Sequence, residues 1–235
     1  MLSFSDAGLL RGTTQVFDGL TLHLNEHRIG LIGDNGAGKS SLFRLACGLE
    51  APQRGQVTVQ GESAYRINSR HPNRVGMMFQ NPDDQIVFPT VQEELALGLC
   101  ASGLARRDAI AQARAFLAGR GLEHWAERAI SSLSQGQRQH VCWLAIRLTA
   151  PALVLLDEPF ASLDLPSQAL LHDDLAQAPQ QIIVSTHLLE HLQGFDRVVW
   201  LDQGRVRADG SPDAVCADYR AEVRQRIANR TATPT

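Results

Sequence analysis

The stretch Gly33-Asp34-Asn35-Gly36-Ala37-Gly38-Lys39-Ser40 follows the spacing G-x-x-x-x-G-K-[ST] of a phosphate-binding P-loop. Its glycines let backbone N–H groups close on phosphate oxygens. The lysine ammonium reaches the β and γ oxygens, and the serine hydroxyl can ligate Mg²⁺. Lys39 is the only lysine in the chain; the other basic side chains are arginine and histidine. A planar guanidinium fits such a nest poorly, so the lone ammonium marks the place that needs a compact charge. Arg28–Ile32 reads as a strand and Ser40–Gly48 as a helix, the context this motif requires. These loop residues, with Ser41, are the candidate nucleotide-binding set.

Outward from the loop the chain alternates strands and helices. Gln15–Leu24, Gln56–Gln60 and Val75–Phe79 read as strands bounded by Gly, Pro and Asn. From Val91 to about Ala129, Ala, Leu, Arg and Glu dominate. Leu95, Leu99, Ala109, Ala113, Phe116 and Leu117 keep helical spacing there, which predicts a helical insertion. A helix (Gln137–Thr149), an apolar strand (Leu153–Leu156), a helix (Ser167–Ala176), a strand (Gln181–Ser185) and a short helix follow. A strand pair, Arg197–Leu201 and Arg205–Ala208, turns at Asp202-Gln203-Gly204. An arginine-rich helical tail starts near Ala217 and frays over Thr231–Thr235. The expected fold class is α/β with a mostly parallel sheet, N-terminal antiparallel strands and a helical subdomain inserted at about 91–150.

Composition narrows the function. Net charge is −3 over 235 residues, which offers no general attraction to nucleic acid or anionic lipid. No apolar run approaches the roughly 18–20 residues of a membrane span, and no signal peptide is expected. Cys47, Cys100, Cys142 and Cys216 lie far apart without a C-x-x-C pair, and read as small buried hydrophobes rather than a metal site.

Two further motifs carry chemistry. Leu153-Val154-Leu155-Leu156-Asp157-Glu158 is an apolar strand ending in two carboxylates, at the edge where α/β sheets bind ligands. Asp157 is placed to hold Mg²⁺ beside Ser40, and Glu158 to act as general base or orienting group for water. Leu133-Ser134-Gln135-Gly136-Gln137 opens a helix. Ser134, Gly136 and Gln137 there can form an anion site suited to a γ-phosphate, and Ser134 can equally cap the helix; both readings hold together.

Taken in order, these residues resemble the ATP-binding-cassette (ABC) ATPases over roughly Phe4 to Val215. The family signature Leu-Ser-Gly-Gly-Gln appears as Leu133 to Gln137, with Gln135 in place of the first glycine. The resemblance implies an ATPase domain over 1–215 with a helical tail over 216–235, and ATP and Mg²⁺ as cofactors. It assigns Gln80 to the Q-loop, contacting Mg²⁺ and the attacking water. Ser162-Leu163-Asp164 matches the D-loop, and His187 the switch histidine that grips the γ-phosphate. Catalytic roles thus fall to Glu158, His187 and Gln80, and metal ligation to Ser40, Gln80 and Asp157. The family often stacks adenine on an aromatic residue. The matching position lies near Leu10, with Phe4 and Phe17 as neighbouring aromatics, and no residue is assigned.

In this family two cassettes sandwich two ATP molecules head to tail, so Ser134 of one copy serves Lys39 of another. The chain carries both half-sites, and a homodimer suffices. The run Asn81-Pro82-Asp83-Asp84-Gln85 after Gln80 resembles the ATPases of energy-coupling-factor (ECF) importers of vitamins and metal ions. Asp83 and Asp84 there would accept from arginines of a membrane partner. Gln85-Ile86-Val87-Phe88-Pro89-Thr90 and Phe195-Asp196-Arg197-Val198-Val199-Trp200 look most like biotin-importer ATPases. The resemblance implies a peripheral subunit on the cytoplasmic face of the inner membrane. Its partners would be a membrane scaffold and a substrate-capture subunit, with no nucleic acid. Other ABC importers, a soluble ABC ATPase acting on nucleic acid or ribosomes, and a non-hydrolysing assembly factor are the competing readings.

Overall fold

The computed structural model describes residues 2–231. In chain order its strands and helices are β1 (Leu2–Arg11), β2 (Thr14–Leu24), β3 (Arg28–Ile32), α1 (Lys39–Ala46), β4 (Arg54–Val59), β5 (Glu62–Ser63), α2 (Ala64–Arg70) and β6 (Val75–Met78). The helical stretch follows as α3 (Val91–Ala101), α4 (Arg106–Ala118) and α5 (Gln135–Thr149). The rest is β7 (Leu153–Asp157), α6 (Leu165–Gln177), β8 (Gln181–Ser185), β9 (Arg197–Asp202), β10 (Arg205–Gly210) and α7 (Pro212–Thr231).

Two sheets face each other across α1. The six-stranded sheet has the order β10-β9-β3-β8-β7-β6, parallel except for the β9–β10 hairpin. β7 and β8 are buried along their whole length, as expected of strands covered on both faces. The second sheet is antiparallel, β2-β1-β4-β5. Phe4, Phe17, Leu42, Phe43, Leu155 and Val199 belong to the apolar layer between the sheets. On the far side α5 and α6 pack Trp143, Leu171 and Leu175 against Val154, Leu156 and Val184. The helical insertion has its own core, with Leu95, Ala113, Leu117 and Trp125 in one cluster.

The expected α/β architecture is present; β1 and α2 are added to the elements expected, and other boundaries shift. β1 departs from simple alternation: its pairing with β2 shifts register three times, and Asp6 has φ 51°. α5 begins at Gln135 and α6 at Leu165 because Ser134 and Asp164 cap them, Asp164 accepting from Ser167 N at 3.1 Å. α7 starts at Pro212, five residues before Ala217, with proline in its first turn. Of the end expected to fray, 232–235 lie outside the described residues. Among the described residues no helix is long and apolar enough to cross a membrane.

Candidate nucleotide site

Neighbouring parallel strands deliver the motif residues to one edge of the sheet. Gly33 follows β3, Gln80 lies just past β6, Asp157 ends β7 with Glu158 next, and His187 lies just past β8. Gly33, Asp34, Asn35, Gly36, Gly38, Lys39, Ser40, Ser41, Gln80, Asp157, Glu158 and His187 line one open cavity of about 700 Å³. Ala37 lies beneath it, 4% exposed, and its carbonyl accepts from Gly204 N at 3.0 Å. The β9–β10 turn thereby props the loop from below.

Two glycines of the loop have no substitute. Gly38 has φ +107°, and a Cβ there would stand 2.9 Å from Phe17 Cε1. Gly33 has φ +144°, and its Cβ would stand 2.1 Å from the Leu201 carbonyl oxygen. Both conformations lie where an L side chain is strained. Lys39 is 8% exposed, and its ammonium donates to the Gly33 carbonyl at 2.7 Å and the Asp34 carbonyl at 3.2 Å. A buried ammonium must be hydrogen-bonded, so the loop satisfies it internally.

Glu158 has φ 51°, a strained backbone for a non-glycine residue, and its N–H donates to the Ser185 carbonyl at 2.9 Å. Its Oε2 lies 2.8 Å from His187 Nδ1 and accepts from His187 N at 3.3 Å. The His187 side chain is 61% exposed and that of Glu158 10%. An almost buried carboxylate thus sits at the cavity wall beside an exposed imidazole.

Ser134, Gly136 and Gln137 lie elsewhere. They line a second groove of about 610 Å³ with Ser162, Leu163 and Asp164. Ser134 Oγ accepts from Gln137 N at 3.2 Å, and Gln137 Oε1 accepts from Ser134 N at 3.1 Å, a complete capping box. Gln135, at the glycine position, donates through Nε2 to Ser162 Oγ at 3.0 Å. It ties the start of α5 to the loop before α6.

The acidic segment after Gln80 is more internally engaged than its composition suggests. Gln85 turns back, its Oε1 accepting from Phe79 N at 3.1 Å. Asp83 pairs with Arg138 of α5 at 3.0 Å, so one of the two acids expected to meet partner arginines has a partner within the chain. Glu94, 5% exposed, accepts through Oε2 from Val87 N at 2.9 Å and Phe88 N at 2.8 Å.

Several cavity residues escape a motif reading. Arg11, Val16 and Tyr219 complete the lining. Phe4 and Phe17 are each 0% exposed, so neither aromatic can meet a base. Tyr219, from α7, donates its hydroxyl to Asp34 Oδ1 at 2.8 Å, and Arg226 pairs with the same carboxylate. Arg226, chiefly, holds the Asp34 carboxyl below its ordinary value. Burial first, then Asp34, pushes the Tyr219 phenol up to about 12, so it stays a donor at neutral pH.

Several known proteins are similar to this chain. A family model described as ABC transporter matches residues 17–161. The biotin transport ATP-binding protein BioM of Rhodobacter capsulatus is 46% identical over 213 residues, 91% of each chain. BioM of Rhizobium etli is 36% identical over 219 residues, 93% of this chain and 97% of that protein. Among solved structures, cbiO1 from Clostridium perfringens, described as part of the ABC transporter complex cbiONQ, superposes with TM-score 0.76 at 24% identity, covering 99% and 98% of the two chains.

Proposed function

Because the chain belongs to the ABC transporter family of ATP-binding ATPases, we propose that it is the energy-coupling subunit of an ECF-type importer, with biotin as the cargo. One observation carries the enzymatic part. Lys39, Ser40, Gln80, Asp157, Glu158 and His187 meet in one cavity, whereas Ser134 opens onto another groove. The proposed organisation is an ATPase domain over 1–215 and an accompanying helical tail over 216–235.

In this reading the N–H groups of the loop and the start of α1 cradle the phosphates. Lys39 exchanges the Gly33 and Asp34 carbonyls for β and γ oxygens. Ser40, Gln80 and Asp157 would hold Mg²⁺ through hydroxyl, amide-carbonyl and carboxylate oxygens, the hard donors that suit it. When bound, Mg²⁺ would supply neutralisation of phosphate charge. Glu158 orients the attacking water, and the exposed His187 imidazole turns from Glu158 towards the γ-phosphate. The separation of Ser134 from Lys39 supports a second copy of the chain supplying Ser134 to the nucleotide held here.

Cargo and partners rest on other grounds. The 46% identity to a biotin transport ATP-binding protein over 91% of both chains supports the biotin assignment, and the Asn81–Gln85 run supports the ECF class. The proposed station is peripheral, on the cytoplasmic face of the inner membrane, against a membrane scaffold and a substrate-capture subunit. The test is a detergent-solubilised pull-down of tagged protein from its native host. Recovery of a multi-span scaffold with a biotin-binding membrane subunit is expected. Recovery of ribosomal or DNA-repair proteins without a membrane partner would overturn the transporter reading.

A further inference from the structure

Asp34 places a carboxylate on the wall of a cavity whose proposed ligand is a polyphosphate. A negative charge there opposes binding unless something neutralises it. The groups that meet it, one cation and one uncharged hydroxyl donor, come from the other end of the chain. Tyr219 donates to Asp34 Oδ1 at 2.8 Å, and the Arg226 guanidinium reaches both carboxylate oxygens, with Nη2 to Oδ1 at 3.4 Å. Neither residue floats. The Tyr219 ring stacks edge-on against Trp200 of β9, centroids 5.1 Å apart. Glu222 lies 3.8 Å from Arg226 Nε and 2.9 Å from Arg207 of β10. Arg207 in turn pairs with Asp202 at 3.0 Å and covers Trp200. The β9–β10 hairpin and α7 therefore form one braced body aimed at the second residue of the loop.

The braced residue also bears on the lysine. The Asp34 carbonyl accepts from Lys39 Nζ and from Ala37 N at 3.1 Å, so tilting this turn would move the ammonium's resting partner.

We propose that Arg226 and Tyr219 are positioning residues of the nucleotide site, Arg226 neutralising Asp34 and Tyr219 holding it by a hydrogen bond at the mouth of the phosphate nest, and so setting affinity for ATP. The inference rests on the reading of residues 33–41 as that nest. No local motif could reveal it, because Arg226 is 192 residues from Asp34.

The test uses the full chain, with Kd for Mg-ATP from calorimetry and KM against kcat from phosphate release. Arg226→Ala should raise Kd and KM about two- to fivefold, the scale of a partly exposed charge pair, with kcat little changed. Tyr219→Phe keeps the ring on Trp200 and should give a smaller rise in the same direction. The rise should shrink in high salt. The deciding variant is Arg226→Ala with Asp34→Asn: removing the uncompensated carboxylate should return Kd most of the way to the parent value. A purely structural brace predicts no such rescue, since the double variant still lacks the pair. An unchanged Kd in Arg226→Ala, or a double variant that keeps the raised Kd, overturns the proposal. Melting curves of each variant exclude unfolding as the cause. Lys39→Ala separates the layers. If it binds ATP like the parent, the nest reading fails and the clamp with it. If it loses binding while the double variant fails to rescue, the clamp alone falls.

Discussion

His187 Nδ1 lies 2.8 Å from Glu158 Oε2, joining residues 29 apart in sequence across two neighbouring strand ends. The contact aligns the carboxylate with the imidazole at the cavity wall. Glu158→Gln keeps the shape and removes the charge. We expect kcat to fall by about 10²- to 10⁴-fold while ATP binding persists and a closed dimer accumulates. Phosphate release and size-exclusion chromatography with ATP check this; parent-like turnover would remove Glu158 from its role.

Gly38→Ala and Gly36→Ala form a matched pair. Both glycines have positive φ, +107° and +83°, but only at Gly38 would a Cβ meet a side chain, Phe17, within 3 Å. Gly36→Ala should cost about 1 kcal/mol of backbone strain, and Gly38→Ala more than twice that, with loss of ATP binding. Urea denaturation and calorimetric titration provide the readout, and equal costs would mean that Phe17 yields freely.

Charge reversal in the acidic segment tests the docking surface. Asp84→Lys should weaken co-purification with the membrane partner and leave ATP binding by the isolated chain intact. Asp83→Lys should do more, because it also sets a cation against Arg138, now 3.0 Å from the Asp83 carboxylate. An undiminished complex in both variants would show that neither acid meets the membrane partner.

Glu94→Ala should leave the Val87 and Phe88 N–H groups without their carboxylate. The loss is about 1–3 kcal/mol, since a buried charged acceptor serves two donors. Faster hydrogen exchange at residues 87 and 88, with a lower melting temperature, is the expected result.

The residues of the candidate site were legible where they are contiguous. Residues 33–41, 157–158 and 187 are written in short runs after strand-length apolar stretches, whereas the side-by-side order of β3, β8, β7 and β6 is visible only in the sheet. What the sequence hid depends on residues that meet only in three dimensions. Phe17 invited a role at the base because it is aromatic and close in sequence, yet it is the floor under Gly38. Val16 and Arg11 carry no motif at all. Strand β1 escaped notice because bulges at Asp6 and beyond break its alternation. The seven-residue α2 is too short and polar to show a helical stripe. Helix starts at Gln135 and Leu165 follow from caps, which shift a boundary without altering the apolar pattern.

The solitary Lys39 has a practical consequence. Acylating reagents that seek ε-amines find one such side chain in the entire molecule, and the Gly33 and Asp34 carbonyls enclose it. Covalent labelling at that single position therefore reports how accessible the ammonium is, without any engineered probe. A nucleotide occupying the nest would quench the modification, so a tryptic peptide map becomes an occupancy meter for the unaltered protein.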